Sequence, residues 1–397
     1  MGDEDVPYDR VWLARVTIEG LRGFDRLDIS LLDEGGVPRG QALVIGVNGT
    51  GKTTLLRAIA LGLSERSDAD ALLAAPIGHM VANGRTSGSI RLELRDGHGR
   101  IRTVSTTIAR NGHGDRIEEQ RIEGEGRSPG LVCGYGSGRA VEGGAAGKGY
   151  RTADSVESLF RYNTPFNNIE LSLRRLRDYA GGEQYEAWIG RLKGALGLGE
   201  HDRIELPQGG GVSVTGPTVG GEVEIEALAD GYRMSLMWLL DIFAWAMRAG
   251  RLRAGHLSGI LLVDEIDQHL HPAMQAHLLE GLALAMPEVQ VLATTHSPLV
   301  ALGLGQGLLV PLRRAPDGVH VGVAPGVPDL RAYSVEDVFE HASLFATSPY
   351  STEVSAKLQR YRELVRLPQA RRTSSQAAEL RRLARDLDAL QLVREPS

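Results

Sequence analysis

Cysteine is nearly absent from this chain of 397 residues, which holds one, Cys133. An internal disulfide is excluded, a reducing cytoplasm is the expected setting, and Cys133 reads as a small buried hydrophobe. Also missing is any uninterrupted apolar run near the roughly 20 residues that a membrane-spanning helix needs. The opening MGDEDVPYDR is acidic where an export signal would be apolar. The expectation is therefore a cytoplasmic chain with no membrane partner. Positive charge is short as well. A net charge of −6 argues against a protein that coats nucleic acid by bulk electrostatics and leaves local basic faces open. No long heptad repeat is present, so extended coiled-coil arms are not expected. The 50 glycines follow no period, which excludes collagen-like and repeat architectures.

What is there gathers in short motifs. GVNGTGKTT, Gly46 to Thr54, lies between an apolar run, Ala42 to Ile45, and a helix-forming run, Leu55 to Leu63. Gly46-x-x-x-x-Gly51-Lys52-Thr53 is thus a Walker A loop in strand-to-helix context. Its glycines permit backbone angles that aim N–H groups of Asn48, Gly49, Thr50, Gly51 and Lys52 at one phosphate, at the positive end of the next helix. Lys52 is expected to reach the β and γ phosphates of ATP, Thr53 to ligate Mg²⁺, and Thr54 to hold the α-phosphate side. Far downstream the aliphatic run Ile260 to Val263 delivers Asp264-Glu265, a Walker B pattern. Ligands of open α/β sheets bind at C-terminal strand ends, so Asp264 is expected to hold Mg²⁺ beside Thr53. Glu265 is then placed to position or deprotonate water. A further strand, Val289 to Ala293, ends in Thr294-Thr295-His296-Ser297, and His296 fits a polar γ-phosphate sensor. His269, His271 and His277 lack accompanying cysteines, which weighs against zinc.

Around these motifs, Val11 to Leu32 reads as two strands about an Arg22-Gly23-Phe24 turn. Ser89 to Arg95, Arg100 to Ile108 and Ile117 to Ile122 read as an antiparallel β subdomain. Ser155 to Leu196 is helical in pattern, with Leu171, Leu173, Leu176 and Tyr179 expected inward and Arg174, Arg175 and Arg177 solvated. That arginine face reads as a wet surface first and a nucleic-acid contact second. Pro207 to Leu228 is a glycine-bounded hairpin, followed by LADGYR and an apolar helix beginning near Gly231. The last helix, Ser374 to Val393, carries Leu380, Leu383, Leu387 and Leu390 on one stripe. The expected division is 1–150, an ATPase lobe with Walker A; 151–255, a helical lobe; 256–330, Walker B and switch; and 331–397, a C-terminal extension.

In this order GVNGTGKTT, LADGYR, LLVDEIDQHLHP and ATTHSP resemble the ABC-class ATPase heads of the SMC and RecF superfamily, over residues 10 to 305. The resemblance implies an α/β P-loop NTPase of the ABC ATPase type: a mixed central sheet, an antiparallel β subdomain and a helical lobe. It implies that Leu228, Ala229, Asp230 and Gly231 form a signature motif acting in trans, that Asp267 belongs to the D-loop, and that His296 is the switch histidine. It also implies that Arg22 lies near the nucleotide phosphates. ATP would then join two heads in a homodimer or larger oligomer. Two departures stand out: Ala229 replaces the signature serine, and GYGSGR, Gly134 to Arg139, stands where a Q-loop glutamine is expected, so that either Tyr135, Ser137 or Arg139 would substitute or the coupling of nucleotide to lobe would differ. Tyr333 to Leu364 resembles the C-terminal extension of small ATPases in antiphage systems such as Septu and retron-linked modules, which work with a separate effector such as an HNH nuclease. The function expected is a slow regulatory ATPase controlling such an effector. A RecF-like DNA maintenance clamp is the alternative, and a transporter ATPase ranks lower. A nuclease also ranks lower, because Asp386 and Asp388 lie in a helical run rather than at a strand end.

Overall fold

A computed structural model describes residues 10–75, 79–112, 114–138, 140–144, 149–207, 211–253, 256–314, 321–324, 329–330, 333–341, 344–345, 348, 350–390 and 392. The chain divides into two units, Met1–Ala332 and Tyr333–Ser397.

The first unit is built on two sheets. Val11–Leu21 and Phe24–Ser30 form a hairpin, and with Ser87–Asp96, Ile101–Asn111 and Gly114–Glu123 they make one five-stranded antiparallel sheet. The alternation read in the sequence arises here, because one face packs on the core and the other is wet. The second sheet is mixed and has seven strands. His256–Val263 runs parallel to Val132–Tyr135 on one side and Glu288–Thr295 on the other. Gln41–Ile45 follows Glu288–Thr295, then Leu308–Arg314, both parallel. Leu252–Arg253 and Val321–Val323 pair antiparallel at the two ends. This is the α/β P-loop architecture expected. The aliphatic strands Gln41–Ile45 and His256–Val263 are buried almost throughout, as strands covered on both faces must be.

Register decides where the chemistry falls. Val263 stands opposite Ala293 and Tyr135, and Thr295 stands opposite Ile45. Parallel pairing therefore brings Gly46, Gly136, Asp264 and His296 to one edge. The helix after Walker A, Lys52–Leu63, buries ten of its residues in a core shared with Phe24, Leu27, Ile90 and Leu92 of the antiparallel sheet. Each large apolar side chain so covered contributes about 1.5–3 kcal/mol.

Several expectations are corrected. The stretch 155–196 is not continuous helix: a 3-10 turn, Glu157–Leu159, and a short strand, Pro165–Asn167, precede the helices Ile169–Ala180 and Gly182–Ala195. Pro165 and the left-handed Asn163 (φ 60°) break it. Within Ile169–Ala180, Leu173 and Leu176 are buried, but Leu171 and Tyr179 are exposed, because the buried stripe runs through Ile169, Ser172, Leu173 and Leu176. The expected hairpin of 207–228 is three-stranded, with Arg203–Glu205 joining Ser213–Gly216 and Gly221–Glu224.

In the second unit, Thr352–Arg366 and Ser374–Asp388 are joined by the Arg360–Glu379 ion pair at 2.9 Å. The last helix ends at Asp388, earlier than its leucine stripe suggested, so Leu383 and Leu387 are buried while Leu390 is exposed. Among the described residues no helix is long and apolar enough to cross a membrane.

Candidate functional site

The Walker A loop is shaped by its glycines and its neighbours. Gly51 is left-handed (φ 87°), and a Cβ there would sit 2.6 Å from the Phe24 ring. The turn Arg22-Gly23-Phe24 thus closes against the mouth of the helix, and Gly51 tolerates no side chain. Thr50 Oγ1 donates to the Val47 carbonyl at 2.9 Å, and Arg314 Nη2 donates to the Gly49 carbonyl at 3.1 Å. Arg314 had no signal in the sequence beyond its place at a strand end. Asn48 and Gly49 are exposed at the crown, while Thr50 and Thr54 are buried. Lys52 Nζ donates to the Gly46 carbonyl at 2.8 Å. Burial lowers its pKa, opposed by Asp264, Glu265 and Asp267. A desolvated ammonium bonded to weak carbonyl acceptors, within range of three carboxylates, suits an anion that would displace those carbonyls.

Asp264 is the hub. It is 2% exposed, accepts from Thr53 Oγ1 at 2.7 Å and accepts from Thr294 Oγ1 at 2.7 Å. Its own N–H donates to the Tyr135 carbonyl at 2.7 Å. The Thr53 hydroxyl and the Asp264 carboxylate, hard oxygen ligands side by side at the mouth of the Lys52 loop, fit Mg²⁺ with its retained waters and substrate phosphate oxygens. Thr294, mentioned by the sequence only as part of a strand end, joins Walker B to the switch: Glu265 N donates to its Oγ1 at 2.8 Å, and Ile266 N to its carbonyl at 2.9 Å.

Backbone strain is present at Glu265 itself. Among the described residues four non-glycine positions have positive φ, and three of them are Arg22 (42°), Glu265 (47°) and His269 (68°). Each costs roughly 1–3 kcal/mol and persists only where the surroundings over-determine it. For Glu265 the bonds through Tyr135 and Thr294 do so. Its half-buried side chain follows Asp264 directly at the strand end, where a residue that positions water belongs.

Asp267 accepts from Thr295 Oγ1. His296 is half-buried. Burial first and Lys52 second lower its pKa, so it is a neutral hydrogen-bonding group at neutral pH rather than a cation. Arg22 donates through Nε to the His79 carbonyl at 2.6 Å and lines a cleft with Phe24, Arg85 and Arg110. Of the signature residues, Leu228 is buried whereas Ala229 and Asp230 are exposed at the start of the helix Asp230–Arg248. Ala229 is its N-cap and supplies no side-chain acceptor, which leaves the first-turn N–H groups without a side-chain cap.

Of the residues weighed in place of a Q-loop glutamine, Tyr135 points away from the phosphate edge. Its hydroxyl donates to Asp241 Oδ2 at 2.8 Å, inside the helix Asp230–Arg248. Asp241 also accepts from Asn167 N and Nδ2, both at 2.7 Å. Arg139 lies outside the described residues. The four histidines sit apart: His269 exposed, His271 capping the helix Pro272–Ala285, His277 on that helix and His296 at the switch. Asp386 and Asp388 are both helical.

Two family models match this chain: "AAA domain" over residues 15–127 and "AAA domain, putative AbiEii toxin, Type IV TA system" over residues 239–302. Together they take in the Walker A loop and the Walker B and switch strands. The "Septu protein PtuA" of Bacillus mycoides (strain KBAB4) is 26% identical over 337 residues, covering 83% of this chain and 44% of that protein. The "Retron Ec83 probable ATPase" of Escherichia coli is 32% identical over 113 residues, 27% of this chain and 19% of that one. This chain therefore spans less than half the length of these curated relatives. Among solved structures, the SMC head domain from Thermotoga maritima aligns with a TM-score of 0.46 at 16% identity, over 80% of this chain and 99% of that one. The family models and curated relatives support an AAA-type ATPase.

Proposed function

We propose that this chain binds ATP with Mg²⁺, hydrolyses it slowly, and closes on a second copy of itself to regulate an effector nuclease in antiphage defence. The observation that carries the nucleotide reading is the Thr53–Asp264–Thr294 chain of hydrogen bonds, each 2.7 Å, which locks Walker A, Walker B and switch together at one sheet edge. Mg²⁺, held by Thr53 and Asp264, would supply charge neutralisation at the phosphate oxygens. The loop N–H groups from Asn48 to Lys52 and the Lys52 ammonium bind and orient the phosphates. Glu265, held in its strained conformation, positions water and accepts its proton. His296 donates a hydrogen bond where charge develops.

Exposure of Ala229 and Asp230 supports signature action in trans, since a surface turn can reach another chain's phosphate but not its own buried edge. ATP then favours closure because the closed state alone makes the second set of contacts. The likeness to Septu and retron ATPases supports an effector such as an HNH nuclease, with nucleic acid a further candidate partner. A RecF-like clamp is the reading to prefer if ATP-dependent DNA binding occurs without an effector.

The test is Glu265→Gln, which keeps size and hydrogen bonding but removes the base. With ATP and Mg²⁺ the variant is expected to elute as an oligomer larger than the nucleotide-free chain, while turnover falls at least about 100-fold, the low end for losing a general base. Unchanged elution sinks the two-head reading.

A further inference from the structure

Arg57 lies on the Walker A helix one turn beyond Thr53, on the same face, and is 8% exposed. Its Nε donates to the Leu159 carbonyl at 2.5 Å. Among the described residues that is its one hydrogen bond, and no carboxylate pairs with it. A guanidinium cannot shed its proton, so a mostly buried one with a single protein acceptor is unfavourable unless the charge has a use. Burial is the main influence on it, Arg22 repels it and Asp264 attracts it, which sets it within electrostatic range of the metal-ligand carboxylate.

Leu159 belongs to a segment packed onto the tract that replaces the Q-loop. Ser158 Oγ donates to the Gly134 carbonyl at 2.8 Å and accepts from Gly136 N at 3.0 Å. A Cβ on Gly136 would lie 2.0 Å from the Ser158 carbonyl, so only glycine permits this approach. Asn163 N donates to the Gly138 carbonyl at 2.9 Å. At the head of the tract, Tyr135 receives the Asp264 N–H on its carbonyl and gives its hydroxyl to Asp241 of the signature helix. One packed unit, 134–138 with 157–163, therefore touches the Walker A helix through Arg57, Walker B through the Tyr135 carbonyl, and the signature helix through the Tyr135 hydroxyl.

We propose that Arg57 is a positioning residue, resting on the nucleotide reading above, that ties the Walker A helix to the unit formed by 134–138 with 157–163 so that phosphate binding is passed to the signature helix. It serves where the family's glutamine is missing. Held at the Leu159 carbonyl, Arg57 fixes the segment relative to Thr53, and a shift of Thr53 on loading with nucleotide moves the segment with it.

The test compares wild type with Arg57→Met and Arg57→Lys by hydrogen exchange over 132–163, with and without the slowly hydrolysed analogue ATPγS plus Mg²⁺, alongside ATPγS affinity, kcat and melting temperature. Wild type is expected to gain protection in this segment on binding. Arg57→Met should bind ATPγS as wild type does and melt within roughly 4 °C of it, because methionine replaces a buried charge. Its exchange in 132–163 should be the same with and without ATPγS, and its kcat should fall by roughly 2- to 30-fold, the span of mutations that break coupling. Arg57→Lys, keeping a charged donor, should recover part of both. A nucleotide response in Arg57→Met equal to wild type overturns the proposal. So does lost ATPγS affinity at unchanged melting temperature, which makes Arg57 a ligand contact, or a large drop in melting temperature, which makes it structural. Wild type failing to bind ATPγS overturns the nucleotide reading itself, and the proposal with it.

Discussion

Asp264→Asn is the sharpest probe of the site, because it changes charge and almost nothing else. Asp264 is 2% exposed and accepts from two threonine hydroxyls at 2.7 Å. An amide nitrogen in place of Oδ2 faces Thr53, whose hydroxyl can turn and accept; in place of Oδ1 it faces Thr294, which already accepts from Glu265 N and would be left with its proton unmatched. The first arrangement is therefore adopted: both contacts persist, one of them reversed, and the fold loses their charge assistance and a partner for the Thr53 proton, roughly 0.5–1.5 kcal/mol. Relief of a buried charge offsets part of that. Binding is affected differently. The Thr53 hydroxyl now accepts where it should ligate, and the carboxylate is gone, so a charge-assisted contribution of about 1.5–3 kcal/mol disappears, about 10- to 150-fold in affinity for MgATP. Titration of a fluorescent ATP analogue with Mg²⁺ and with chelator measures it. Wild type should weaken with chelator to the level of Asp264→Asn, and the variant should show no response to Mg²⁺. A variant that keeps the Mg²⁺-dependent gain would refute the assignment of Thr53 and Asp264 as the metal pair.

Other expectations follow from neighbouring groups. Asp241→Asn sets an amide N–H₂ against donors from Tyr135 or Asn167; leaving buried donors unmet costs about 1–3 kcal/mol, read as a lower urea midpoint, and an unchanged midpoint would mean the node is not formed. His296 has its pKa lowered from 6.5, first by burial and then by Lys52. A group depressed on folding contributes stability above its unfolded value and loses it as pH falls below 6.5 through the folded one. The urea midpoint of wild type should therefore fall more steeply than that of His296→Gln on acidification below pH 6.5, and parallel curves would contradict the burial of the ring.

Much of the site was legible because its motifs are local. Gly46 to Thr54 and Asp264-Glu265 each combine a strand signal with residue types that chemistry restricts, and strand ends of a parallel sheet meet at one edge whatever lies between them. Thr294 and Arg314 were harder to find, because a threonine or arginine at a strand end gives no pattern until register sets it beside Asp264 or Gly49. The helix expected through 155–196 failed for a related reason. Periodicity registers apolar spacing, and the run around Phe160 and Phe166 keeps that spacing while its backbone turns at Asn163. Leu171 satisfied the stripe by sequence and missed it in space, since Ser172 takes the buried place.

The missing glutamine changes meaning in this light. A Q-loop residue that reached the metal would have to leave the strand end toward the phosphates, yet the Tyr135 side chain runs the opposite way, to a buried carboxylate in the signature helix. The connection from Walker B to that helix is therefore made by a backbone carbonyl on one side and a phenol on the other. Such a link transmits displacement of the strand end, not the identity of a ligand. On the proposed function, discrimination between ATP and ADP falls to Lys52, Glu265 and His296 in this chain and to the exposed turn of Ala229 and Asp230 in a second copy. In that proposal the second contact, without a serine hydroxyl at position 229, depends on first-turn N–H groups, and closure is expected to be weaker and more easily reversed than in a head that keeps the serine.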